Sequence, residues 1–391
     1  MHKNASRPRV LQFRSGGWAL LAAGVLCATM VVWALLGVLW GGPRPVGDGR
    51  DVSTYGFDLS TCLVERELLV AAGFPRDGLP QINTPEFLTR EGLEEFGNEL
   101  RRAHAGKYLV GSDRVIGVEI DGQARAYPLR VMTWHEVVND TLAWRPIVVT
   151  YSPLSDSAVV FDRRPKTNSP VRSAAAAQPR EFGVSGLIYN SNLVLYDRGP
   201  DPSLWSQLQF RAIAGPAAGR GERLEPVPAV VVQWGDWQAR HPGTTVLGPD
   251  RARWKLYKQS YDLYFASEEL RFPVSPLPPP GGPGLKEQML AVQTRPDGAW
   301  RVFTLAEVGA RAGAGGVWTA EVEGVPVRFT YRPDPPTAWP EAEAGQVQTV
   351  NALWFAWYAH EQARTRPAAA PRTGSDSQSG QGAPATASAG S

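Results

Sequence analysis

One stretch of this chain constrains its folding more than any other: from Trp18 to Trp40 it reads WALLAAGVLCATMVVWALLGVLW, without a charged residue. A helix needs about 20 apolar residues to cross the hydrocarbon core of a bilayer, and this run meets that length. Tryptophan at either end suits the water–lipid interface. Lys3, Arg7, Arg9 and Arg14 precede the run, with no acidic residue among them. Positive charge is retained in the cytoplasm, so residues 1–17 are expected inside and the remainder outside, periplasmic or extracellular. A cleaved leader would have an apolar core of about 7–15 residues and a small-residue exit site. The run here is longer, and Gly41-Gly42-Pro43-Arg44-Pro45 offers no such site. Cys27 follows Leu26 and makes a poor lipidation site. The expectation is a single-pass anchor over 18–40 with the lipid bilayer as its partner.

Beyond the anchor the chain has globular composition. Residues 41–51 (GGPRPVGDGRD) read as a flexible stalk. Residues 367–391 have no apolar face to bury and are expected to stay disordered. The folded part then lies at about 52–366. A net charge of +2 over 391 residues gives no basic stripe for a nucleic acid. The two cysteines are Cys27, inside the apolar run, and Cys62. They cannot pair, and Cys62 reads as a small half-buried residue.

Strand signals dominate the folded part. Residues 115–120 and 123–127 flank Asp121-Gly122, a pair suited to the positive φ angles of a type I′ hairpin turn. Residues 129–138 read as a short helix ended by Asn139-Asp140, and further strands are expected at 147–151, 158–161, 181–185 and 193–196. Residues 163–180 look like a solvated insertion. Trp234-Gly235-Asp236-Trp237 looks like a helix start packed through its aromatic rings. FPVSPLPPPGGPG, residues 272–284, breaks the pattern and marks a boundary between a lobe at 52–272 and a second at 285–366. The two sides resemble each other. VIGVEI-DGQARAYPL (115–129) matches MLAVQTRPDGAWRVFTL (289–305), and RPIVVTYS (145–152) matches VPVRFTYR (325–332). The expected fold class is mainly β (α+β), with pseudo-duplicated β lobes, short helices and one preceding transmembrane helix.

Several segments in order, GFDLSTCLVERELLVAAGFPRDGLPQINTPEF (56–87), VIGVEIDGQARAYPL, WHEVVND (134–140), VVTYSPLSDSAVVFDR (148–163), FGVSGLIYNSNLVLYDR (182–198), SLWSQ (203–207) and LWFAWY (353–358), resemble the bacterial and archaeal family catalogued as domain of unknown function 3179. The family typically carries Cys-Pro-Leu-Cys, or a selenocysteine version, where this chain has Ser152-Pro153-Leu154-Ser155. The resemblance implies a thiol or selenol oxidoreductase-like scaffold, on which such a motif exposes a thiolate beside a resolving partner. A hydroxyl cannot cycle to a disulfide, so dithiol chemistry is excluded at Ser152 and Ser155. The expectation is a redox-silent binding or accessory member with an unknown protein or small-molecule partner, and no cofactor. The rival is an enzyme using Ser152 or Ser155 with His135, or a metal at His135 with Asp140 or Asp197. A structural partner in a membrane complex is the third reading. No G-x-S-x-G elbow and no H-E-x-x-H run is present. Glu136, Asn139, Asp140, Ser185, Asn190, Asp197, Ser203 and Trp205 fall in the resembling segments and are candidates to line one cleft with Ser152. A turn for Asn139-Asp140 and a strand-end ion pair for Asp197-Arg198 are the plainer alternatives.

Overall fold

The computed structural model describes residues 45–365 apart from 105, 168–177, 251–256, 258–260, 297, 344 and 346. The expected anchor at 18–40, the basic tail before it, residues 41–44 of the stalk and the tail 367–391 lie outside the described residues. The rest of the expected stalk is not free chain: the Val46 carbonyl accepts from Arg76 N at 2.8 Å, and Asp48 accepts from Arg50 N and Asp51 N. Among the described residues, no helix is long and apolar enough to cross a membrane.

The Asp-Gly pair makes the hairpin its chemistry predicts. Arg114–Ile120 runs antiparallel to Gln123–Pro128 with Ile120 opposite Gln123, and Asp121 and Gly122 take φ of 48° and 76°. The next element differs from expectation. The helix spans Leu129–His135 and stops there, because Glu136 turns to φ 54°. Val137 and Val138, whose branched side chains favour extended backbone, begin the strand Val137–Leu142. Asn139 and Asp140 therefore lie within a strand. The turn comes later, at Ala143-Trp144, both at positive φ.

That strand opens a meander with Arg145–Ser152 and Ser157–Asp162. The meander belongs to a seven-stranded sheet that continues through Gln348–Leu353, Gln288–Gln293 and Arg301–Thr304, with Pro226–Val227 paired on Ser157–Asp162. Strands from both sides of residues 273–284 thus share one sheet. Two five-stranded sheets and a three-stranded sheet complete the mainly β architecture. Phe182–Tyr189 and Asn192–Asp197 are central in one five-stranded sheet, and the 114–128 hairpin is central in the other. Val317–Val322, Val325–Pro333 and Pro336–Ala342 form the three-stranded sheet.

The order hairpin, helix, three-stranded meander occurs twice. The second occurrence uses Gln288–Gln293, Arg301–Thr304, Leu305–Ala312 and the three-stranded sheet. Each hairpin is also joined by a closing strand that leads into a helix starting Trp-x-x-Trp. Ala229–Gln233 enters Trp234–Arg240, and Gln348–Leu353 enters Trp354–Thr365. The registers correspond, with Gln233 opposite Arg114 and Leu353 opposite Gln288. Each meander lies beside the other hairpin's closing strand. Ala158 bridges to Asn351 on one side. On the other, the Gln233 amide reaches the carbonyls of Asp334 and Pro335 at 2.9 and 3.1 Å.

The first meander is covered on both faces. Val137, Val148, Val159 and Phe161 pack against Phe182, Leu195 and Trp205, while Val138, Val149 and Val160 pack against Ile116, Tyr127 and Met132. A strand buried on both sides cannot show the alternation of a half-buried one, which is why 145–152 reads as a nearly continuous apolar run.

Asp156 ties these parts together. Its buried carboxylate accepts two bonds from Arg114 (2.7 and 3.1 Å), one from the Tyr151 hydroxyl (2.7 Å) and one from Gln288 Nε2 (2.6 Å). Arg114 and Gln288 are the corresponding first residues of the two hairpins. Burial works against the Arg114 charge, but Asp156 and Tyr151 together hold it above the ordinary guanidinium value. Replacing Asp156 with alanine strands that charge and should cost about 3 kcal/mol in urea unfolding. An added Arg114→Met change should recover part of the loss; an unchanged unfolding midpoint in Asp156→Ala would remove this role.

Candidate functional site

Ser152 ends the central meander strand, and its backbone carbonyl accepts from Ser155 N at 3.3 Å, closing the turn through Pro153 and Leu154. Both serines are buried. The Ser155 hydroxyl sits 2.9 Å from that of Ser157 and accepts from Asn192 Nδ2 at 2.8 Å. The same Asn192 amide reaches Ser157 Oγ and Gln207 Oε1, each at 2.8 Å. Ser157 donates to Gln207 Oε1 at 2.6 Å, and Gln207 Nε2 donates to Thr150 Oγ1 at 2.9 Å. The turn thus rests on a network drawn from three separate strands and the segment after Ser206, in which the buried Asn192 Oδ1 has no partner.

Sequence reasoning missed Thr150, Ser157, Asn192 and Gln207 as members of this site. All four fall inside the segments quoted for the resemblance. Their signal was membership of those segments, but nothing in their spacing to Ser155 showed that they would converge. Only strand pairing brings them there.

The other sequence candidates occupy separate positions. Nδ1 of His135 contacts the Pro80 carbonyl at 2.6 Å and Nε2 contacts the Tyr257 hydroxyl at 2.7 Å. A carbonyl only accepts, so Nδ1 carries the proton and the Nε2 lone pair takes the Tyr257 hydrogen. Neither of these ring contacts of His135 is to a serine. Asn139 stitches two sheets by donating to Asn83 and the Phe182 carbonyl and accepting from Phe182 N. Asp140 holds Arg125 and the Tyr127 hydroxyl.

Ser185 donates to the Val194 carbonyl at 2.5 Å, beside the irregular pairing after Val184. Asn190 accepts from Ser275 N at 2.9 Å. Asp197 pairs with Arg180 and caps Ser203 N, and Ser203 Oγ accepts from Ala217 N. Trp205 lies edge-on to Phe182, under the Arg180 guanidinium. Cys62 is half-buried, with its thiol 3.5 Å from the Val64 carbonyl. Among the described residues, no group of three or more His, Cys, Asp or Glu side chains is placed to hold a metal ion.

Glu136 is the candidate that stays beside the serine turn. Its carbonyl accepts from Tyr151 N at 2.9 Å, so it faces the strand end across the ladder. A non-glycine residue at φ 54° and ψ −30° stores backbone strain of about 1–3 kcal/mol. Burial pushes its carboxyl up to about 8. A cavity of about 500 Å3 lies elsewhere, lined by Trp237, His241 and Trp339, and includes none of these residues.

The family model described as a protein of unknown function, DUF3179, matches residues 76–344. The chain belongs to the DUF3179 family. No curated protein and no solved structure matches it. The match includes the serine turn, all four members of the network beneath it, His135 and Glu136. It begins after Cys62 and ends before the closing strand Gln348–Leu353.

The raised carboxyl makes a signed prediction about pH. Between the ordinary carboxyl value and about 8, the folded DUF3179 chain holds a proton at Glu136 that the unfolded chain releases. Its contribution to stability is full below that window and is lost as pH rises through it. Glu136→Gln should therefore gain stability relative to the parent between pH 5 and 8.5. Parallel urea midpoints for the two proteins across that range would refute the assignment.

Proposed function

We propose that this chain is a membrane-anchored, extracytoplasmic binding or accessory member of the DUF3179 family, redox-silent at the position where relatives carry a dithiol. The observation that supports this most directly is the Ser155 hydroxyl, buried and engaged by Ser157 and Asn192. A serine hydroxyl forms no disulfide and has no accessible thiolate form, and here it also completes a hydrogen-bond network. The turn therefore keeps a strand-end geometry suited to a C-x-x-C pair while its side chains serve packing and polar satisfaction. The anchoring reading rests on the uncharged run at 18–40 with its basic flank. The recurring hairpin–helix–meander order, with matching registers and Trp-x-x-Trp helices, supports an internal duplication of one β unit. On this reading only the first copy kept the Ser-Pro-Leu-Ser turn, since Arg332-Pro333-Asp334-Pro335 stands in the second.

Two experiments test the proposal. The Ser152→Cys, Ser155→Cys variant should form a reversible disulfide with a potential of about −270 to −120 mV, the span of C-x-x-C oxidoreductases, while the parent consumes no reductant. Thiols that stay reduced and unreactive in the variant would count against the scaffold reading, and labelling of Ser152 by a serine-directed probe would favour a hydrolase. Separately, the full chain should sediment with membranes and resist carbonate extraction. Recovery in the soluble fraction would end the anchoring reading alone.

A further inference from the structure

Lys166, Arg223 and Arg211 stand in one row across three neighbouring backbone segments. Lys166 and Arg223 exchange both backbone hydrogen bonds, each 2.8 Å. Arg211 faces Arg223 at a position without such bonds, flanked by Ala212 N to Glu222 O at 3.0 Å and Leu224 N to Phe210 O at 2.8 Å. Facing residues of an antiparallel ladder send their side chains to the same side, and those at the second kind of position approach closest. All three cations therefore leave one face. The intervening residues Ala212 and Leu224 point the other way, into the core.

Little offsets these charges. Lys166 has Glu225 at 3.5 Å, with both side chains exposed. Arg211 gives Nε to Gln209 Oε1 at 3.0 Å. Glu222, next to Arg223 in sequence, is engaged by Arg180 and Arg220. Among the described residues, no carboxylate forms an ion pair with Arg211 or Arg223. Burial pushes the half-buried Arg211 guanidinium down, and Arg223 and then Arg364 push it the same way. Arg364 itself is held by Glu361. The sequence after Lys166, NSPVRSAAAA at 168–177, contains an arginine and no carboxylate. Like charges set directly opposite each other destabilise a ladder, yet this chain places three in register.

We propose that the Lys166–Arg223–Arg211 row binds a phosphate-class dianion, either free or as the phosphomonoester headgroup of a lipid. Two guanidinium forks and an ammonium present more donors than a planar carboxylate can use. A tetrahedral dianion offers oxygens in several directions and balances more of the charge.

The full chain in detergent, titrated at constant ionic strength, tests this. Inorganic phosphate should raise the unfolding temperature by about 2–4 °C over chloride, as a ligand selective for the folded state does. Arg223 is exposed, so Arg223→Gln keeps the fold. That variant should unfold no lower than the parent without phosphate, because a repulsion has been removed, and should bind phosphate at least about tenfold more weakly. A short-chain phosphatidate that competes with phosphate and binds more tightly identifies the lipid as the source; phosphate binding without competition identifies the free ion. A parent that responds equally to phosphate and chloride overturns the site, and so does an Arg223→Gln variant with an undiminished response.

Discussion

The buried carboxylate of Asp156 is the constraint on which the arrangement around the serine turn depends. It holds the Tyr151 hydroxyl beside the turn that carries Ser152 and Ser155, and it grips the first residue of each hairpin through Arg114 and Gln288. A buried charge is tolerated only when its acceptor sites are filled. Here four bonds fill them, and they come from both halves of the sequence. Satisfying this one group therefore positions the two hairpins against the first meander, and the turn with them.

The burial of that meander sets the character of the site. With one face against the Phe182–Trp205 cluster and the other against Ile116 and Tyr127, the strand end holding the serines is enclosed by protein. Polar groups there must find protein partners. The chain Thr150–Gln207–Ser157–Asn192–Ser155 provides most of them, leaving Asn192 Oδ1 without one. Histidine and carboxylate chemistry is led elsewhere by the same demand, as His135 turns to Tyr257 and Asp140 to Arg125. Glu136 stands apart: its backbone carbonyl pairs with Tyr151 N at the strand end, and burial raises the proton affinity of its carboxyl.

The basic row contrasts with this economy. Other buried or half-buried arginines meet a counter-charge, as at Arg180–Asp197 and Arg145–Asp162. Arg211 and Arg223 face each other with none. The ladder that holds them is set by core residues on the opposite side, Ala212 and Leu224, so packing fixes the repulsive register.

Local chemistry determined what was legible from sequence. The Asp121-Gly122 hairpin depends on backbone angles that neighbouring residues choose for themselves, and the strands at 147–151, 158–161 and 193–196 announce themselves by composition. The absence of thiols at positions 152 and 155 is a fact of sequence, and family membership was readable from motifs in order. Tertiary structure decided the rest. The helix after Leu129 stops at His135 because Val137–Leu142 finds a strand partner, which puts Asn139 and Asp140 in a ladder where sequence suggested a turn. Sheet pairing joins strands on either side of the proline-rich segment at 273–284 in the seven-stranded sheet. Ser155 meets Asn192, Ser157 meets Gln207, and Asp156 meets Gln288, across separations that no local spacing encodes. Such contacts arise from hydrogen-bond demand in an enclosed interior, and that demand exists only once the sheets have come together.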